Sequence, residues 1–133
     1  MYSVETLADE PVIVVRIEPE FEFEQDLWAV HEDVARKARA IAAGKVYRIM
    51  DFSALTITFS ELQSVLYFET RGGPGSAADP RIRNVLVGSG EMINMAADSL
   101  GQTQYGRINT PVFSTLNEAL VYVRATLSHA TNA

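Results

Sequence analysis

Hydrophobic positions along this chain follow two alternating rhythms. Short β-favouring runs cover Tyr2 to Leu7 and Val12 to Ile17, separated by the turn-like Ala8-Asp9-Glu10-Pro11, so the chain is expected to open with a hairpin. The Val12-Ile13-Val14-Val15 run is apolar on both faces, which marks an interior strand of an α/β sheet. From Gln25 to Ala43, Leu27, Val30, Val34, Ala38 and Ile41 recur at three- and four-residue steps. That spacing predicts an amphipathic helix, with Glu32/Arg36 and Asp33/Lys37 as i,i+4 pairs facing water. Acidic residues at its start suit the helix dipole, and Gly44 is the expected left-handed stop.

Val46 to Met50 predicts the next strand, running into Asp51-Phe52-Ser53. A second helix is expected to begin with Ser60 as N-cap and Gln63 completing a capping box. Leu62, Val65 and Leu66 form its inward stripe, Tyr67 and Phe68 widen it, and Gly72-Gly73-Pro74-Gly75 stops it. Residues 72–80 are the most loop-like stretch of the chain. Ile82 to Val87 predicts another interior strand and Gly88-Ser89-Gly90 a tight turn. Glu91 to Leu100 then reads as a helix with Met92, Met95, Ala96 and Leu100 on one face, ended by Gly101. Pro111-Val112-Phe113 is a short last strand. Thr115 and Glu118 form a capping box ahead of a fourth amphipathic helix carried by Leu116, Ala119, Leu120, Val123 and Leu127. The tail, 128–133, is expected to fray.

Strands alternating with helices define the α/β class. The expected architecture is a single domain over residues 1–133: a mostly parallel sheet of four to five strands with right-handed crossovers, an antiparallel N-terminal edge strand, and four helices. Composition narrows the function. The 133 residues carry 11 Lys and Arg against 17 Asp and Glu, a net charge of −6 with neutral histidines. Acidity without a basic cluster speaks against nucleic acid as a partner, because phosphate neutralisation supplies most of that affinity. The absence of cysteine removes disulfides, thiolate chemistry and cysteine-held metals, and fits a reducing cytoplasm. The first residues lack a secretory pattern, and no run approaches the ~18–20 apolar residues of a membrane span. The expectation is a cytoplasmic protein.

The element order, together with Tyr47-Arg48-Ile49-Met50-Asp51-Phe52-Ser53-Ala54-Leu55-Thr56, resembles the STAS domain, typified by anti-sigma-factor antagonists, and within it the SpoIIAA-like (STAS/SEC14-like) branch. The late Val112-Phe113-Ser114-Thr115-Leu116-Asn117-Glu118-Ala119-Leu120 segment is similar to the strand-to-helix junction that closes these domains. The resemblance implies a regulatory or protein-interaction module whose second helix carries a phosphorylatable Ser or Thr in its first turn. Here that stretch reads Thr58-Phe59-Ser60-Glu61, without the Asp and Gly of phosphoregulated members. Ser60 is the nearest hydroxyl, and Thr58 the second candidate. SEC14-like domains also imply an apolar ligand between helices and sheet, where Met92 and Met95 would line a pocket.

Other candidate chemistry is sparse. Gly88-Ser89-Gly90 lies where backbone amides cradle phosphate, but Glu91 follows it and no P-loop Lys does. Glu18, Glu20, Glu22 and Glu24 alternate with apolar residues; a solvated face accounts for them better than a calcium site. His31 borders the buried stripe of the first helix, and His129 falls in the tail. Neither has a motif partner, so no metal or cofactor is assigned, and a non-catalytic module is favoured over an enzyme. Asp51 and Ser53 suit an Asx turn, while an enzyme assembled from Arg48, Asp51 and Ser53 remains the catalytic alternative. A small-molecule pocket would then lie at the C-terminal ends of the strands, near Asp51, Ser53, Ser60 and Gly88 to Gly90. The apolar arc of helix two exceeds what one sheet face covers, so Tyr67 and Phe68 are expected at an interface, first of all that of a homodimer.

Overall fold

Strand order in space follows strand order in the sequence. The computed structural model describes residues 1–71 and 73–132, with the side chains of all but 130–132. Gly72, in the expected helix stop, and Ala133, in the expected tail, lie outside the described residues. The elements are β1 (Tyr2–Thr6), β2 (Val12–Ile17), α1 (Phe23–Arg39), β3 (Val46–Asp51), α2 (Phe59–Glu69), β4 (Ile82–Val87), α3 (Glu91–Leu100), a 3-10 turn (Thr103–Tyr105), β5 (Val112–Phe113) and α4 (Leu116–Asn132). They build one five-stranded mixed sheet in the order β1-β2-β3-β4-β5. β1 is antiparallel to β2 and every other pairing is parallel. This is the α/β architecture expected from the strand and helix rhythms.

Side chains alternate across the sheet, and each face has its own core. Ile13, Val15, Ile17, Val46, Met50, Ile82 and Leu86 meet α1, α2 and α3. Val12, Val14, Ile49, Val85 and Val87 meet Ala119 and Val123 of α4. The four aliphatic residues Val12 to Val15 are buried on both faces, as their uniform apolarity predicts. β5 stays short because Leu86 donates to the Pro111 carbonyl, and Pro111 has no N–H to return the ladder.

Several local expectations are corrected. Helix α1 starts two residues earlier than predicted and ends at Arg39, capped by Ala40 rather than stopped at Gly44. Its end is held from a distance: the Arg81 guanidinium donates to the carbonyls of Ala38, Ile41 and Ala43, a cation on the negative end of the dipole. On its surface, Asp33 pairs with Arg36 at 2.7 Å, one residue closer along the chain than either predicted pair. Helix α2 is capped by Thr58, not Ser60; Thr58 and Glu61 close the capping box reciprocally. Two overlapping boxes compete here, and the charged Glu61 suits the dipole better than Gln63. On α3, Met95 is exposed and Ile93 takes the buried position.

The expected loop after α2 is not a surface loop. Gly75, Ser76 and Ala77 are buried, and Asp79 ties the segment by accepting from Gly75 N at 2.8 Å and Arg81 N at 2.9 Å. Gly75 adopts φ +82° with its Cα pressed on α1; an added Cβ would lie 2.2 Å from the His31 carbonyl oxygen. Gly75→Ala therefore combines a left-handed backbone with a clash against main chain. It is expected to lower stability by at least about 3 kcal/mol in urea denaturation, whereas Gly73→Ala, which meets nothing within 4 Å, is expected to be nearly neutral.

Candidate functional site

The most unusual chemistry of the molecule is interior. Residues 46, 48 and 50 of β3 point at the three-helix face, and Arg48 occupies the middle of that row with no exposure at all. Its register partners are Ile13 on β2 and Asn84 on β4, and Asn84 is also buried. Arg48 Nη2 and Nε donate to Asn84 Oδ1 at 2.7 and 3.2 Å. Nη1 donates to Glu69 Oε1 and to the Gly75 carbonyl, each at 3.0 Å. Four of the five guanidinium N–H groups are thereby used. Asn84 passes the chain onward, its Nδ2 donating to Thr110 Oγ1 at 3.3 Å.

Glu69 is the counter-charge. It ends α2, where a carboxylate opposes the helix dipole, so its place is explained by Arg48 rather than by the helix. The same Oε1 accepts from Ala77 N at 2.8 Å. His31 Nε2 stands 3.0 Å from that oxygen, off the line of a well-aligned hydrogen bond. Burial pushes the Glu69 carboxyl up, but the Arg48 charge, joined by His31, outweighs it and brings it down to about 2.

This arrangement binds elements together rather than performing chemistry. The guanidinium is sealed from solvent and committed to its partners. It also lies on the sheet face opposite Asp51, because residues of unlike parity point to opposite faces. The catalytic grouping of Arg48 with Asp51 and Ser53 is thus not assembled. Sequence reasoning did not find His31, Glu69 and Asn84 as a group, although each stands at an inward position of its element.

The predicted rim residues separate into small groups. Asp51 Oδ1 accepts from Ser53 N at 2.9 Å, the Asx turn expected of that pair. Asp51 is in register with Val87, which brings Gly88 beside Phe52 at the strand ends. Gly88 is buried against Ile93, Ser89 is exposed, and Gly90 is the N-cap of α3 with φ +99°. Thr58 spends its hydroxyl on the α2 cap. Ser60 is exposed in the first turn of α2 and lines a shallow trough with Glu24, Gln63, Ser64 and Tyr67. Tyr67 is 54% exposed, meets Phe68 edge-on at 5.2 Å, and carries the Arg71 guanidinium 3.8 Å above its ring. Phe68 is half-buried.

The acidic run folds as bland structure. Phe21 and Phe23 are buried, packed edge to face at 5.0 Å, and Glu22 caps α1. Among the described residues no group of three or more His, Cys, Asp or Glu is placed to hold a metal ion. None of the described helices is long and apolar enough to cross a membrane. No protein-family model matches the chain, and no curated protein or solved structure is similar enough to count as a match.

The Glu69 carboxyl gives a signed pH prediction. Its folded value lies below the ordinary 4.5, so its contribution is complete above about pH 4.5 and is lost as pH falls towards about 2. Urea denaturation across that window should show wild-type stability falling by on the order of 3 kcal/mol from this group, and Glu69→Gln should flatten that part of the profile. Arg48→Met leaves Glu69 buried without its counter-charge and should cost roughly 3–5 kcal/mol at neutral pH. A loss under about 1 kcal/mol would show that the cluster does not hold the fold together.

Proposed function

We propose that this chain is a non-catalytic, cytoplasmic protein-interaction module of the STAS kind that self-associates through the outer face of α2. The STAS reading rests on the mixed sheet, the strand ending in Asp51-Phe52-Ser53 ahead of α2, and the β5–α4 junction capped by Thr115, whose Oγ1 accepts from Glu118 N at 3.2 Å. The single observation that carries the interaction reading is the shape of the α2 surface. Tyr67 with Arg71 stacked on it forms a projecting knob. Beside it lies a trough bordered by the small Ser60 and Ser64, with Glu24 of α1 at its edge.

Ser60 and Tyr67 are seven residues apart, two helical turns or ~10 Å. Two copies related by a twofold axis, with their α2 helices antiparallel, would each seat Tyr67 in the other's Ser60–Ser64 trough. Such a contact is self-complementary in charge as well, Arg71 meeting Glu24, and the two helix dipoles oppose favourably. Exposed Phe59 adds apolar area at one end of the helix.

Sedimentation equilibrium at tens of micromolar should then report a dimer, and Tyr67→Ser should weaken association at least about tenfold, or ~1.4 kcal/mol, with unchanged circular dichroism. A wild-type chain that stays monomeric through that range would end the self-association reading.

A further inference from the structure

A second hollow, of about 430 Å3, lies between α1 and the segment following α2. Its size falls within the ~300–1,000 Å3 typical of small-molecule sites. Trp28, Ala35 and Arg39 contribute from one stripe of α1, and Phe68 faces them from α2. Ala35 and His31 are buried, and Trp28, although 61% exposed, contributes to the lining. The hollow is held open by construction: the Gly75 backbone is wedged on α1 at His31 and its carbonyl is gripped by Arg48. A site that is already formed needs little ordering on binding.

Charge is uneven along it. Asp33 is occupied by Arg36 at 2.7 Å and by the Tyr2 hydroxyl at 3.0 Å. Among the described residues Arg39 has no carboxylate partner, and Arg71, which also lines the hollow, has none and stacks on Tyr67. Glu32 is seven residues from Arg39, ~10 Å along the helix axis, and leaves that end positive. The hollow thus joins an apolar trough with two aromatic rings to a basic end.

We infer that this hollow binds a small amphipathic monocarboxylate, its apolar body along Trp28, Ala35 and Phe68 and its acid group at Arg39. A cationic ligand meets the wrong end charge. A multiply charged phosphate would leave the apolar trough unused.

The test uses 4-phenylbutyrate as the probe and the intrinsic fluorescence of Trp28, the chain's single tryptophan, as the readout. Saturable binding with Kd below about 1 mM is expected. The uncharged 4-phenylbutyramide should bind at least about tenfold more weakly, since it forfeits a charge-assisted bond. Arg39→Gln, which lies outside the proposed α2 contact, should weaken the acid about tenfold and leave the amide unchanged. Backbone amide shifts should centre on residues 28–39 and 68. A linear, non-saturating response, equal binding of acid and amide, or shifts centred at Gly88 to Gly90 would each overturn the assignment. Arg39 takes no part in the proposed α2 contact, so the comparison of acid with amide and the Arg39→Gln variant read the hollow whether or not copies of the chain associate.

Discussion

A guanidinium removed from water carries a desolvation penalty of several kcal/mol, and its surroundings must offset it or the fold is lost. Arg48 has no solvent exposure, and its compensation is gathered from four separate parts of the chain. Asn84 comes from the neighbouring strand, Glu69 from the end of α2, and the Gly75 carbonyl from the segment beyond it. His31 on α1 completes the set through Glu69. Each partner satisfies Arg48 only where its own element is correctly placed. One buried charge thereby fixes the spacing between the sheet, α1 and α2, and fixes the path of the chain that joins α2 to β4. The Asp79 turn and the Arg81 cap on α1 continue that path, so the interior loop and the C-terminal end of α1 belong to the same mechanical unit.

The two faces of the sheet differ for this reason. The α4 face is closed by apolar contacts, from Val12, Val14, Ile49 and Val85 to Ala119 and Val123, with Tyr47, Phe113 and Tyr122 packed around them, and such packing tolerates small shifts of the helix. The opposite face includes directional bonds in its core, which do not. The two surface features given a proposed role lie over that stiffer face. Both the α2 trough and the hollow beside Trp28 sit between α1 and α2, the pair of helices whose separation the Arg48 cluster sets. Rigid support behind a binding surface lowers the entropy lost on binding, and under the two proposals made above that is what the buried cluster would contribute, without any chemistry of its own.

Periodicity made the architecture legible because each strand and helix buries one face and its apolar spacing records which. Boundaries were less legible where rival local signals overlap. Thr58/Glu61 and Ser60/Gln63 both spell a capping box, and only helix-dipole preference separates them. The Arg81 cap on α1 leaves no local trace, since its acceptors lie about forty residues upstream. The Arg48 cluster did leave a signal. Arg48 stands between Val46 and Met50, and Asn84 between Ile82 and Leu86, on inward rows of adjacent strands. Glu69 extends the Leu62, Val65, Leu66 stripe, and His31 extends that of Leu27 and Val34. A polar residue at an inward position needs a partner. Four such residues with complementary charge and hydrogen-bonding groups identify one another only once the four positions are considered together.

Stability alone is a weak reason for such a core, because buried ion pairs can often be replaced by packed apolar side chains without loss. What an apolar replacement could not reproduce here is the grip on the Gly75 carbonyl. That bond holds a left-handed glycine against the backbone of α1 and keeps the following residues inside the fold instead of across the mouth of the hollow. Without it, the segment after α2 would be free to relax outward, Phe68 and Pro74 would lose their fixed distance from Trp28 and Ala35, and the basic end at Arg39 would no longer face a formed apolar wall. The buried Arg48 therefore acts through geometry: it converts the register of β3 against β4, set deep in the sheet, into the shape of a surface between two helices.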